Sequence, residues 1–325
     1  MSDVYDIAIV GGGPGGIASA IEGVGLGIKN VIVFEKGESH FTTIRQFYKD
    51  GKRVDKDYKG QQVELSGNIS FFDGTKESTL DLFGELIESN HINIRFKNEI
   101  ESIQKVDGVF LIRTAAGEEY RSRFVVIAIG KMGQPNKPSY LIPSSIRKKI
   151  QYNANNIESH EKLLVVGGGN SAVEYANFLA QSNDTTLNYR RNEFSRVNEI
   201  NLKQLQDSIE SQKLKARLGV DIEGLEEDDE GKVKVNFTDK SSETFDRVVY
   251  AIGGAAPIDF LGKCNLELDE AGVPISHNYE SSIGNLFIAG DILLKSGGSI
   301  AAALNHGYEI VLEIKKRLDS LGVES

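Results

Sequence analysis

The stretch that most constrains this chain is VYDIAIVGGGPGG, residues 4–16. A β-branched run, Ile7 to Val10, feeds directly into a glycine cluster, and the helix-compatible segment IASAIEGVGLG follows at 17–27. Strand, tight turn and helix in that order, with Gly11, Gly13 and Gly16 at G-x-G-x-x-G spacing, predict a dinucleotide-binding unit. Gly11 permits the turn, Gly13 lets the backbone approach a pyrophosphate, and Gly16 lets the helix pack close to the strand. The helix that starts at Pro14 presents the free N–H groups of Gly15 and Gly16 and a partial positive charge to phosphates. A second strand signal, VIVFE at 31–35, ends in Glu35, nineteen residues beyond Gly16, with Lys36 next. A carboxylate there accepts hydrogen bonds from a ribose diol and repels a 2′-phosphate, so this slot is expected to take FAD or NAD rather than NADP.

The opening unit returns later. LLVVGGGNSAVEYANFL at 163–179 is again strand, glycine turn and amphipathic helix, with Gly167, Gly169 and Ala172 as G-x-G-x-x-A. Gly167 follows Gly11 by 156 residues, and the same offset carries Glu35 onto Arg191. The strand TTLNYRR ends in Arg190 and Arg191, so an acid in the first copy becomes a pair of guanidiniums in the second. Guanidiniums bind the 2′-phosphate of NADP(H) bidentately, and this slot is expected to take NADPH, with Arg196 assisting.

At 325 residues the chain has room for two domains of about 150 residues each. Its net charge of −10 argues against non-specific binding to nucleic acid or anionic membrane. Apolar runs such as FVVIAI at 124–129 are too short to span a bilayer, and no secretory signal is visible at the N-terminus. The single cysteine, Cys264, allows no intrachain disulfide and no cysteine-based metal site, which fits a reducing cytoplasm. The five histidines are scattered without ligand spacing, so no metal is expected.

Between these landmarks the reading is coarser. Residues 45–59, RQFYKDGKRVDKDYK, hold six basic and three acidic side chains. They read as a solvated loop, or as a wall of the flavin site and a basic dock for an acidic protein partner. A helix is expected over 77–90 and strands over 92–96, 99–106, 109–114 and 119–129. FVVIAIG at 124–130 and RVVYAIG at 247–253 are near copies, expected to carry the chain between domains as a two-strand hinge ending in Gly130 and Gly253. Residues 214–246 read as antiparallel strands, and the acidic run DIEGLEEDDE at 221–230 as a solvated turn rather than a metal site. GNLFIAGD at 284–291 ends a strand in Gly290 and Asp291, and a helix opens around Ser299. Asp291 can bind a ribityl hydroxyl, and the helix start at Ser299, Ile300 and Ala301 can place its positive end at the flavin N1/C2=O region.

The set GGGPGG, Glu35, the two AIG segments, GGGNSA with YRR, and GNLFIAGD resembles the two-dinucleotide-binding-domain flavoproteins of the thioredoxin-reductase-like branch, over nearly the whole chain. The resemblance implies an α/β fold of two Rossmann-like, three-layer ββα domains. The NADPH-binding domain, 131–250, is inserted into an FAD-binding domain split into 1–130 and 251–325. It implies FAD on Gly11, Gly13, Pro14, Gly15, Gly16, Glu35, Lys36, Gly130, Gly290, Asp291, Ser299, Ile300 and Ala301. NADPH falls to Gly167, Gly169, Asn170, Ser171, Ala172, Arg190, Arg191, Arg196 and Gly253. A homodimer is implied as well, with one domain rotating against the other in many members.

The departures from that family direct the chemistry. Thioredoxin reductases carry a Cys-x-x-Cys just before the second glycine motif, whereas 131–166 here contains no cysteine. Bacillithiol-disulfide reductases carry a cysteine inside the first glycine motif, where Pro14 stands here. Tyr189 replaces the histidine of the usual His-Arg-Arg pattern, and Arg196 sits one place late. FYKDGKRVDKDYK, AIGKMGQPNKP, GGGNSAVEYA, NYRRNEFSRVNE and GDILLKSGGSIAAALNHGY look similar to the bacterial NADPH-dependent flavodoxin/quinone reductases. That resemblance implies hydride transfer from NADPH to flavin N5 and single electrons passed to flavodoxin, or to quinones, with no catalytic side chain. A disulfide reductase using Cys264 and a non-catalytic NADP-binding redox sensor are the alternatives.

Overall fold

The structure, a computed structural model, describes residues 4–57, 62–131, 134–255, 257–294 and 298–322. The chain divides into two compact units, Met1–Gln134 with Ala256–Ser325, and Pro135–Ala255.

In the first unit, strand Val4–Val10 leads through the glycine turn into helix α1, Pro14–Gly25. It pairs in parallel with Val31–Phe34 on one side and Glu119–Ile127 on the other. Its side chains alternate between two buried layers, as a strand covered on both faces must. Ala8 and Val10 pack with Ile103, Phe110 and Ile112 of the antiparallel hairpin Ile100–Val106/Val109–Thr114. Ile7 and Ile9 pack against the helical layer. Short α2, Thr42–Phe47, and α3, Lys76–Ser89, follow the second strand. Thr75 and Ser78 close α3 with a reciprocal capping box.

The second unit repeats the plan. Lys162–Val166 feeds α4, Asn170–Leu179, then strand Asp184–Tyr189, α5, Glu199–Glu210, and strand Leu214–Leu218. With Arg247–Tyr250 and Ile150–Gln151 these strands form a five-stranded parallel sheet. Leu163, Val165 and Leu187 face the helices, and Leu164 and Val248 face a three-stranded antiparallel sheet, 222–245. Two-residue strands at the crossings, Gln134–Pro135 and Gly254–Ala255, form a ladder of their own.

The last part of the chain returns to the first unit. It contributes α6, Ile258–Lys263, the parallel strand Leu286–Ile288 beside Glu119–Ile127, and α7, Ile300–Ser320. Ile310, Val311, Ile314 and Leu318 of α7 complete the helical layer. Each unit therefore has helices on one face of a parallel sheet and an antiparallel β layer on the other, the expected three-layer α/β plan.

Four local expectations are corrected. Leu214–Leu218 belongs to the parallel sheet, paired with Asp184–Tyr189, and antiparallel pairing begins only at Ile222. The acidic run is mostly strand Ile222–Glu227, because Ile222 and Leu225 are buried under it. Residues 92–96 yield only the two-residue strand Ile94–Arg95. Helices α2 and α5 arise where no helix was expected; their buried anchors, Ile44, and Asn201 with Leu205, are too sparse to make a strong period.

Helices α1 and α7 meet closely at Gly307. A Cβ there would lie 2.8 Å from Ala18 Cβ and Ser19 N, and 2.9 Å from Gly15 O. Overpacking at such a contact costs about 1–3 kcal/mol. Gly307→Ala is therefore expected to lower the denaturant midpoint of the FAD-loaded protein, and an unchanged midpoint would refute the close contact.

Candidate functional site

The first glycine turn is built by steric necessity. Gly11 has φ +111°, which disfavours any L side chain, and a Cβ on it would strike the Ala128 carbonyl. A Cβ on Gly16 would overlap the Gly11 carbonyl oxygen, so α1 can begin this close to the strand only with glycine. Gly13, the N-cap of α1, differs from both: the nearest atom to a Cβ there is Ala128 O at 4.0 Å. That backbone face is open where a pyrophosphate must approach, and Pro14 takes the N1 position, where no N–H is needed.

Glu35, buried, reaches the turn from the end of the neighbouring strand. Its Oε2 accepts from Gly12 N at 2.7 Å, and its Oε1 from Gly37 N at 2.7 Å and Thr42 Oγ1 at 3.3 Å. Thr42 opens α2, so this unforeseen helix braces the carboxylate. A carboxylate has about four acceptor sites and three are taken, so Oε2 keeps capacity for about one further hydroxyl. Lys36 is exposed beside it.

Gly290 and Asp291 follow the strand that ends at Ile288. A Cβ on Gly15 would lie 3.3 Å from Ala289 Cβ and 3.5 Å from Gly290 N, so this turn abuts the first glycine turn. The Gly290 N–H donates to Nδ1 of His306, 3.1 Å away on α7. Asp291 sits beside Gly298 at the start of α7, where a Cβ on that glycine would overlap its carboxylate. No hydrogen-bond donor among the described residues reaches the Asp291 carboxylate. Burial pushes its pKa up to about 6, and the Lys131 cation works against that rise. Ser299 caps α7, its Oγ accepting from Ala302 N at 3.1 Å. Ile300 and Ala301 are buried, and their side chains belong to the core, so only the backbone of the helix start is offered there. Gly130, φ +62°, has nothing within 4 Å of a Cβ. Glu35, Gly290, Asp291 and the α7 start thus gather around one glycine turn. The open backbone and the carboxylate without a donor fit the phosphates and hydroxyls of FAD. His306 and Lys131 belong to the same surroundings, though the sequence assigns neither of them a role.

The second turn follows the same rules with different chemistry. Gly167 has φ +151°, a Cβ on it would strike the Ala251 carbonyl, and Ala172 packs beneath it. Gly169, the N-cap of α4, has nothing within 4 Å of a Cβ. Asn170 turns its side chain to the following loop, where its Oδ1 accepts from Asn198 N at 2.8 Å and Asn201 Nδ2 at 3.3 Å. Those bonds, with a backbone bridge between Gly169 and Arg196, bring Arg196 to the turn. Arg190, Arg191 and Arg196 are exposed, and no acid among the described residues pairs with them. Ser171 is half-buried at the start of α4, and Gly253, φ +89°, follows the strand Arg247–Tyr250.

Strand register revises the equivalence drawn between Glu35 and Arg191. Val10 faces Phe34 across the first sheet and Val166 faces Asn188 across the second. Gly11 N donates to Phe34 O, and Gly167 N to Asn188 O. The residue in the place of Glu35 is therefore Tyr189, whose ring lies where a Cβ on Gly168 would be and stacks on Phe194 at 5.2 Å. The arginines follow by one and two residues. The buried acid Glu35 of the first unit is replaced by an aromatic ring in the second, and the cations stand just outside it.

Two further segments bear on the alternatives. In the basic segment Arg53 pairs with Asp55 and Asp73 and Lys56 with Asp57, while the segment's Asp50 pairs with Lys76. Arg45 turns inward to the His40 carbonyl and ring. Lys52 lies over the Tyr48 ring, and Tyr58 and Lys59 lie outside the described residues. Cys264 is fully buried among Ile103, Phe110 and Leu266, and burial pushes its thiol up to about 12. Among the described residues no helix is long and apolar enough to cross a membrane.

Comparison with known proteins agrees with this geometry. The thioredoxin reductase of Peptoclostridium litorale is 26% identical over 346 residues, covering 100% of both chains. Ferredoxin–NADP reductase 1 of Bacillus thuringiensis (strain Al Hakam) is 26% identical over 317 residues, 91% of this chain and 84% of that protein. The bacillithiol disulfide reductase Bdr of Bacillus cereus shares the fold with a TM-score of 0.81 at 23% identity, over 97% of this chain and 100% of that one. The profile of the pyridine nucleotide-disulphide oxidoreductase family matches residues 8–290. With two glycine turns of this build inside that span, the chain belongs to the pyridine nucleotide-disulphide oxidoreductase family, as a thioredoxin-reductase-like oxidoreductase that uses FAD and NADPH.

Proposed function

We propose that this protein moves electrons between NADP(H) and a small electron-carrier protein of the flavodoxin type, and also reduces quinones. The observation that carries the reading is the state of the one thiol. Disulfide exchange needs an accessible thiolate, and Cys264 is buried in the hairpin layer with its pKa pushed up to about 12. Pro14 stands where one thiol-reducing branch carries its cysteine, and 131–166 holds none for the other. Relatives named ferredoxin–NADP reductases support a carrier as the electron partner.

In this reading the first unit holds FAD. Backbone N–H groups of Gly13, Gly15 and Gly16 meet the pyrophosphate, Glu35 meets the ribose, and Asp291 meets a ribityl hydroxyl. The second unit holds NADPH. Gly169 to Ala172 meet its pyrophosphate, and Arg190 and Arg191 its 2′-phosphate, with Arg196 brought alongside by the Asn170–Asn198 bond. Bound FAD supplies the conversion between the two electrons of NADPH and the single electrons of a carrier. The side chains bind and orient; none is asked to act as nucleophile or proton donor. A homodimer in the cytoplasm completes the proposal, on the strength of the family resemblance, and light scattering tests the dimer.

Stopped-flow mixing of the FAD-loaded protein with NADPH and flavodoxin is expected to show flavin reduction followed by flavodoxin reduction. Normal flavin reduction with no transfer to flavodoxin would sink the carrier reading. Charge-assisted hydrogen bonds contribute about 1.5–3 kcal/mol each, so Arg190→Ala and Arg191→Ala are each expected to raise KM for NADPH roughly ten- to hundredfold, leaving KM for NADH nearly unmoved. Equal losses for both nucleotides would remove the arginines from the 2′-phosphate. Cys264→Ala is expected to keep its rate with the carrier; loss of turnover in a folded, flavin-loaded variant would restore the thiol reading.

A further inference from the structure

The sequence assigns His306 no role, yet its ring touches the turn that Gly290 and Asp291 form. It stands in the second turn of α7, partly buried, with the Tyr279 ring packed on it at 4.8 Å. Its Nδ1 accepts the Gly290 N–H at 3.1 Å. Gly290, φ +82°, begins the short 3-10 turn Asp291–Leu293, so this bond fixes the Ala289–Gly290 peptide, one residue before the Asp291 side chain departs. The same peptide abuts Gly15 of the first glycine turn, at 3.5 Å from where a Cβ there would be. One imidazole therefore ties α7, the Gly290–Asp291 turn and the first glycine turn together.

We infer that His306 is a positioning residue for the FAD site, and that flavin binding requires it in its neutral form. Only a neutral imidazole has a ring nitrogen free to accept. Protonation places an N–H of His306 against the N–H of Gly290, and the buried donor at Gly290 loses its partner. The groups around the ring are Tyr279, whose hydroxyl donates to Glu309 Oε2 at 2.7 Å, Glu309 itself, and Asp291 beyond Gly290. Burial lowers the His306 pKa from the ordinary 6.5, and the Glu309 carboxylate opposes that shift. Binding demands the neutral form, so affinity for FAD is full above the histidine range and falls as the pH drops through it. Asp291 gains its proton as the pH falls through about 6, also in acid, so a variant rather than a single pH profile separates the two groups.

The inference rests on Gly290 and Asp291 belonging to the FAD site. Asparagine separates the roles, since its Oδ1 stands as many bonds from Cα as Nδ1 of histidine and accepts without titrating. FAD dissociation constants are measured by flavin fluorescence on the deflavinated full chain between pH 5 and 8. At pH 8, His306→Ala is expected to bind FAD about five- to tenfold more weakly than wild type, the size of one lost hydrogen bond, and His306→Asn to bind within about twofold of wild type. Toward pH 5 the wild type loses affinity more steeply than His306→Asn, whose remaining slope belongs to Asp291. Superimposable wild-type and His306→Asn profiles would overturn the inference, as would wild-type affinity in His306→Ala. Should the alanine variant not fold, the asparagine profile alone decides. Asp291→Asn is the control for the underlying site. Weakened FAD binding there, with no effect at His306, refutes the inference alone, and unchanged binding there refutes the site reading and the inference with it.

Discussion

The contact on which the rest depends is the meeting of α1 with the strand before it, at Gly16 and the Gly11 carbonyl. There is no room for a Cβ, so the helix axis is brought down onto the sheet edge and its free N–H groups are aimed over the turn. Everything further out is set by that seat. Ile17, Ala18, Ala20 and Ile21 are buried beneath the helix, and α7 closes over it with Gly307 against Ala18 and Ser19. Because α7 is placed by that packing, its capped start and His306 arrive beside Gly290 and Asp291. One steric constraint assembles segments nearly 300 residues apart in the chain.

The two units show how one backbone plan supports two ligand chemistries. The glycine turns are nearly superimposable in their logic: positive φ at Gly11 and Gly167, an open face at Gly13 and Gly169, a strand-end residue packed against Gly12 or Gly168. Only the strand-end residue differs in kind. Glu35 brings a buried charge that must be satisfied, and it is, by two backbone N–H groups and Thr42. Tyr189 brings no charge and stacks on Phe194, leaving Arg190 and Arg191 exposed to meet an anion. In the proposed reading, ribose and phosphate recognition are separated by the position of charge along two or three residues.

The motifs were legible because each is a local requirement. A turn that admits no Cβ leaves glycine at fixed offsets, and a strand buried on both faces leaves a β-branched run such as Ile7 to Val10. Pairing was less legible. Counting residues from Gly11 and Gly167 equated Glu35 with Arg191, whereas the hydrogen bonds Gly11–Phe34 and Gly167–Asn188 equate Glu35 with Tyr189. The two copies differ in length between turn and strand, and only register measures that. Leu214–Leu218 likewise reads as a strand in isolation, but its parallel partner is a matter of the sheet. The cations of 45–59 are visible as a run, yet Arg53 pairs with Asp73 and the run's own Asp50 with Lys76, both across folded segments.

The sequence by itself determined that there are two dinucleotide slots of opposite charge and a single cysteine outside both. These are statements about residue types at short spacings, which backbone sterics and charge dictate locally. Only the tertiary structure decided that Cys264 lies in a dry layer where a thiolate is disfavoured. It alone placed the Asp291 carboxylate at the start of α7 with no described donor, and an unremarked histidine on the peptide of Gly290. Burial, long-range hydrogen bonds and pKa shifts depend on which distant segments pack together, and no local spacing encodes that.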